Sequence, residues 1–281
     1  MPLLSKSTIS IAAAYAIFCL VSFYSANAAE FSTGNSLGFS SDGNHFVFEE
    51  YGTSDGIGTP YVNLFAIDIV RDRWIKGTPI RLKGTEEEAI ALEKKLAQAG
   101  ITDPHEIALR FRQAAENKRN QARKKALPAL APLGELVPAD LRAHNPPHEF
   151  TSDAKQVRFS PIGYRTLINS ETSQAVWLLN LAETTFPASK DCFGRYDSMQ
   201  GFALVLTNET NDNEIVLNHD TRVPKSRGCP QKYYVEQVFT YPRANGAFSL
   251  AVLVRYSLPG FEGPDGRLLA VTAVVETENQ K

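Results

Sequence analysis

The sequence predicts a mainly β protein, built of antiparallel sheets in a sandwich-like or partial-propeller-like arrangement, with an inserted α-helical hairpin. Three observations carry this. Short apolar-alternating runs separated by turn residues occupy residues 31–82 and return from residue 150 onward. Between them, residues 84–126 switch to helical spacing. Near the end, the runs 250–254 and 268–275 are apolar on both faces, the mark of strands covered on both sides.

The first β segment, 29–83, opens with a turn signal, Ser41-Asp42-Gly43. In the strand that follows, Phe46, Phe48 and Glu50 share one face, while Val47 and Glu49 point the other way. Residues 61–70 form a second strand, apolar from Leu64 to Ile69 except at Asp68, and residues 74–82 a third. The helical insertion, 84–126, starts on a capping box at Thr85 and Glu88 and stops at Gly100. Asp103-Pro104 begins a second helix with proline at its first position. Leu92, Leu96, Ile107 and Phe111 are the expected buried stripe. Lys118, Arg119, Arg123, Lys124 and Lys125 crowd the far end, where they are expected to complement the helix dipole and face solvent.

Residues 127–149 hold five prolines and read as an ordered connection over the surface. The C-terminal β segment, 150–281, shares one core with 29–83. Its candidate strands are 176–181, 201–206, 214–217, 233–241, 248–256 and 268–275, the last two joined by a Gly- and Pro-rich turn into a long buried hairpin.

Residues 1–28 have the three parts of a cleavable signal peptide. Lys6 is the positive region, residues 11–24 the apolar region, and Ala26-Asn27-Ala28 a small-x-small cleavage site, so the mature chain is expected to begin at Ala29. The apolar run is shorter than the ~20 residues an uncleaved anchor needs. Lipidation at Cys19 is disfavoured by Phe18 before it. No later segment is long enough to span a bilayer, so a periplasmic or secreted protein without stable membrane insertion is expected. Lys6 leaves with the signal, taking the formal charge from −2 to about −3, which gives no long-range pull toward nucleic acid. Cys192 and Cys229 then remain as an even pair in an oxidising compartment and read as one structural disulfide. A reactive thiol pair would show C-x-x-C spacing.

Two resemblances add to this reading. Residues 37–51 (LGFSSDGNHFVFEEY) with 61–68 (YVNLFAID) resemble a propeller-blade hairpin of the TolB type, with Ser41 at the usual proline position. A weaker echo, RFSPIG at 158–163, precedes the strand WLLNL at 177–181. The wider order of signal peptide, FEEYG at 48–52, Asp55-Gly56, Pro60-Tyr61 and GTPI at 77–80 resembles an uncharacterised family of predicted secreted bacterial proteins. That likeness implies export and supplies no activity, cofactor or site residue.

Site candidates come from the residues alone. Glu50 closes the Phe46–Phe48 stripe, and a carboxylate in apolar surroundings is a candidate acid or base; the plainer reading is a solvated or paired strand end. The glycine-rich loop 55–58 leads into Tyr61 and Asn63, and Asp55 with backbone carbonyls could hold calcium or a sugar, although a β-turn explains it as well. Residues 208–214 are rich in oxygen ligands, as a polar hairpin loop also is. His144 and His148 are four apart, but the prolines between them forbid an ordinary helix and no third zinc ligand is evident. No H-E-x-x-H or phosphate loop is present, and no catalytic residue, metal or cofactor is assigned. The expectation is a non-enzymatic binding or interaction module for an unidentified protein or small ligand. The alternative is an extracytoplasmic hydrolase using carboxylates such as Glu50, Asp55 or Asp197. Convergent carboxylates in a deep pocket would favour the enzyme, and an exposed apolar patch the binding module.

Overall fold

The computed structural model describes residues 30–54, 58–146, 154–161, 176–260 and 263–276. In chain order they form β1 (Thr33–Ser40), β2 (His45–Thr53), β3 (Pro60–Asp68), β4 (Arg73–Trp74), β5 (Ile80–Lys83), α1 (Glu86–Gln98) and α2 (Pro104–Leu130). There follow β6 (Leu136–Val137), β7 (Asp140–His144), β8 (Gln156–Phe159), β9 (Trp177–Pro187), β10 (Ser198–Asn208), β11 (Asn213–His219), β12 (Lys232–Pro242), β13 (Phe248–Pro259) and β14 (Pro264–Val275). Short 3₁₀ turns sit at Lys190–Cys192 and Lys225–Arg227.

The strands make three antiparallel sheets: β4-β3-β2-β1-β6 with β5 also on β3, β14-β13-β12-β7, and β11-β10-β9-β8. The second sheet is central, and the pleat of β13 explains why. Leu250, Val252 and Val254 point one way, onto Leu179, Leu204 and Leu206 of the third sheet. Ala251 and Leu253 point the other way, onto Phe39, Phe46 and Phe48 of the first. A strand with both faces buried must be apolar at consecutive positions, as β13 is. The order of layers is helices, first sheet, central sheet, third sheet; Val47, Leu64 and Ala66 on the far side of the first sheet pack on Ala126 of α2.

Several expectations are corrected in detail. The third strand expected over 74–82 is two short strands, because the chain turns at Gly77, whose φ is +90°, and Pro79 has no N–H to give a ladder. The proline-rich run is no mere surface connection. Its first residues extend α2 through Pro128 to Leu130, and then β6 pairs with β1 and β7 with β12, stitching the first and central sheets together. The β6 contact coincides with a bulge in β1 at Gly38, where φ is +125° and a Cβ would lie 2.3 Å from the Val137 carbonyl oxygen.

The helices begin where the sequence places them, Thr85 and Glu88 completing the capping box and the Asp103 side chain capping His105 N–H. Leu96 is buried, whereas Leu92, Ile107 and Phe111 are half-buried, Leu92 and Phe111 lining a groove of about 190 Å³ between the helices. Three of the cations expected in solvent are not there. Arg119 and Arg123 both reach the Glu49 carboxylate, which is fully buried on β2, and Lys118 binds Glu88 at 2.9 Å. Arg119 also lies over the Tyr51 ring at 3.9 Å. The helix end is therefore clamped to the sheet by charge as well as by the Ala126 contact; Lys124 and Lys125 remain exposed.

The N-terminal stretch ties to the far end of the chain. Phe31 forms a parallel bridge with Gly266, Ser32 N–H donates to the Gly266 carbonyl at 3.1 Å, and Gly266 N–H donates to the Glu30 carbonyl at 2.7 Å. Arg255, 1% exposed, pairs with buried Glu236 and donates to the Ser32 carbonyl at 2.6 Å. Gly266 is required by this close approach, since a Cβ there would lie 2.6 Å from the Phe31 ring and 2.8 Å from the Arg255 guanidinium.

Candidate functional site

The face of β2 that carries Phe46, Phe48 and Glu50 turns toward the central sheet, as the alternation requires. Antiparallel register sets Phe65 opposite Phe48 and Asn63 opposite Glu50 on β3. The Phe48 and Phe65 rings stack with centroids 4.8 Å apart. Trp74 of β4 lies beside Phe65 at 6.2 Å, and Arg81 of β5, opposite Asn63, holds its guanidinium 5.7 Å above the Trp74 ring. Trp74 is 49% exposed, unusual for so large a side chain with aromatic neighbours.

These side chains form one wall of a cleft of about 640 Å³. Leu268, Leu269 and Ala270 of β14 and Tyr256 of β13 form the second wall. The two 3₁₀ turns close the third, contributing Asp191, Phe193, Lys225 and Arg227. The Cys192–Cys229 disulfide joins those turns, so the bond expected from the sequence also builds a wall of the cleft. Phe193 sits there with φ +51° and 81% exposure, presented by the turn rather than packed.

Glu50 lies on the floor, 3% exposed. One of its oxygens accepts from Leu268 N–H at 2.8 Å and the other from Asn63 Nδ2 at 3.0 Å. It is thus held by neutral donors. Tyr61 stands behind the floor, 7% exposed, its hydroxyl accepting from Arg267 Nη1 at 2.7 Å. Burial pushes the Tyr61 phenol well above its ordinary value, with the Arg267 charge pulling the other way. Arg267 in turn pairs with Glu30 at 2.5 Å, and Arg227 with Asp220 at 2.5 Å. Arg81 and Lys225 make no ion pair among the described residues and leave two cations available on the walls.

Of the residues singled out from the sequence, the structure brings Glu50 into the cleft and Tyr61 behind it. Asp197 is exposed in the loop before β10, away from the cleft lining. Asp55 and His148 lie outside the described residues. The oxygen-rich residues 208–214 form the β10–β11 hairpin loop, where the Asn208 and Asn211 side chains accept from Thr210 and Asn213 N–H and so build the turn itself. Among the described residues no group of three or more His, Cys, Asp or Glu is placed to hold a metal ion, and no helix is long and apolar enough to cross a membrane.

Sequence reasoning missed Phe65, Trp74, Arg81, Phe193, Lys225 and Arg227. Hairpin register could have found Phe65 and Asn63, which lie directly opposite Phe48 and Glu50. Nothing local marks Phe193 or Lys225, which reach the cleft only because the disulfide gathers their turns.

No curated protein and no solved structure matches the chain. The family described as "Predicted secreted protein (DUF2259)" matches residues 47–273, a span that includes strands of all three sheets and every wall of the cleft. The chain therefore belongs to that family of predicted secreted proteins.

Proposed function

We propose that this secreted protein is a binding module whose ligand site is the cleft between β2–β5, β14 and the disulfide-joined turns. The observation that carries the reading is the state of Glu50. Both its oxygens are engaged by neutral donors of the fold, so it serves as a fixed floor, while the walls offer exposed aromatic rings and two cations with no ion-pair partner among the described residues. A site made of solvent-facing rings with a few convergent polar groups holds a ligand by shape and charge. The likeness of residues 37–68 to a TolB-type blade hairpin, a motif of interaction scaffolds, points the same way.

The hydrolase reading would rest on Glu50 and Asp191, the two carboxylates on the cleft lining. Acid–base chemistry by such a pair needs both to take part, and Glu50 is already engaged by Leu268 N–H and Asn63, which leaves Asp191 alone.

The protein carries its own reporter. It has two tryptophans, of which Trp177 is 2% exposed in the core and Trp74 stands in the cleft. Titrating a panel of peptides and oligosaccharides should give a saturable change in Trp74 emission that Trp74→Phe abolishes. Turnover of a panel member that Glu50→Gln abolishes would overturn the proposal in favour of the enzyme.

A further inference from the structure

We infer that the occupant of this cleft is an extended, acidic polypeptide segment that adds as a strand to the outer edge of β14; the inference rests on the cleft being the ligand site. β14 is the edge of the central sheet, pairing with β13 along its whole length and with no named strand on its other side. The outward positions are identified by the bonds already made there. Gly266 N–H donates outward to the Glu30 carbonyl and Leu268 N–H outward to the Glu50 carboxylate. Strand period 2 then points the N–H and C=O of Ala270, Thr272 and Val274 to the same side. Among the described residues none of these three has a backbone partner on that side.

Among the described residues the cover of this edge thus runs for two steps and stops. At Gly266 the cover is a parallel strand-like bridge, and at Leu268 a carboxylate oxygen stands where a partner strand's carbonyl would be. The next outward position, Ala270, lines the main cleft and also a depression of about 270 Å³ beside Arg73 and Trp74. The Thr272 hydroxyl, further along the same strand, is buried without a hydrogen-bond partner. Exposed edges of this kind take up extended segments through main-chain bonds, with flanking pockets reading alternate side chains. Here the flanking groups are the Phe65–Trp74 rings and the cations Arg81 and Lys225, which select a segment carrying carboxylates.

The test uses the mature protein, ¹⁵N-labelled, and a pool of decapeptides in which glutamate alternates with a randomised residue. Binding should slow hydrogen exchange at the Ala270, Thr272 and Val274 amides and change Trp74 emission. The same pool N-methylated at alternate backbone nitrogens keeps every side chain and loses the ladder, and it should bind about tenfold or more weakly. Ala270→Pro removes an outward N–H without touching the β13 ladder, which proline at an edge tolerates, and should weaken binding similarly. Arg81→Glu with Lys225→Glu should weaken the acidic pool and remove its salt dependence.

Equal binding of the N-methylated pool would overturn strand addition, and if Trp74 still responded the cleft reading would survive it. An oligosaccharide that moves Trp74 emission while the peptide pool does not would have the same meaning. Peptide binding that leaves both Trp74 and the three amides unchanged would remove both readings.

Discussion

Replacing Glu49 by glutamine keeps the shape of the side chain and removes its charge from beneath two arginines. The carboxylate is fully buried and accepts from Asn35 Nδ2 at 3.0 Å, from Arg119 through Nε at 3.1 Å and Nη2, and from Arg123 through Nε at 3.1 Å and Nη2 at 2.7 Å. An amide can accept at one atom only, and its NH₂ would face guanidinium donors. Breaking a buried ion pair from one side costs about 3–5 kcal/mol. Arg119 and Arg123 keep 17% and 35% of their side-chain surface in solvent, so water relieves part of their loss and the expected cost falls to ~2–3 kcal/mol. Urea denaturation at pH 7 should show this as a lower midpoint with an unchanged slope.

The pH dependence separates charge from shape. Burial alone would raise the Glu49 carboxyl, but the hydrogen bonds and charges of Arg123 and Arg119 outweigh it and hold the group below its ordinary value. A depressed carboxyl contributes its full stability above the unfolded pKa of about 4.3 and loses it as pH falls through the folded value. The gap between the parent protein and Glu49→Gln should therefore be constant from pH 7 to about 5 and close at lower pH. Equal stabilities at pH 7, or a gap that persists unchanged at pH 3, would refute the charged clamp.

Other outcomes follow from the same structure. Replacing Cys192 and Cys229 by serine opens a loop of 37 residues and should cost about 4 kcal/mol in the chain-entropy model. The mature parent protein, without Cys19, should show no titratable thiol, and two free thiols would rule the bond out. Burial pushes the phenols of Tyr233 and Tyr234 up to about 12 and those of Tyr61 and Tyr256 higher still. A raised phenol stabilises the fold fully below its unfolded value of about 10 and stops doing so as pH climbs through the folded one. Absorbance titration at pH 11 should leave these four un-ionised until urea is added. Mass spectrometry of the exported protein should find Ala29 at the N-terminus, and an intact Met1 in the membrane fraction would contradict signal cleavage.

What could be read from the sequence was what neighbours in the chain decide. The apolar stripes of β13 and β14 announce burial on both faces, and Thr85 with Glu88 announces a helix start, because each signal lies within a few residues of its effect. β6 has two residues and no periodicity of its own; it is a strand only because β1 offers an edge. Arg119 and Arg123 have the look of a solvated helix end until Glu49, seventy residues earlier, is folded beneath them. Glu50 was legible as the end of an aromatic face. Its state was not, because the group that fixes it, Leu268 N–H, lies 218 residues away.

The attachment of Glu30, Phe31 and Ser32 to Gly266 and Arg255 carries a consequence for biogenesis. A secreted chain crosses its membrane as a thread, and whichever end leads, the segment that caps Gly266 and satisfies the Arg255 guanidinium is separated from its partner by more than two hundred residues. The central sheet cannot be completed while part of the chain remains on the other side. Until then the Gly266 end of the β14 edge lacks its cap, and Arg255 has Glu236 but not the Ser32 carbonyl, and an uncapped edge is the condition in which strands pair with the wrong chain. A chain exported as a thread would thus complete this fold only after translocation, and that interval is when a chaperone would have something to hold.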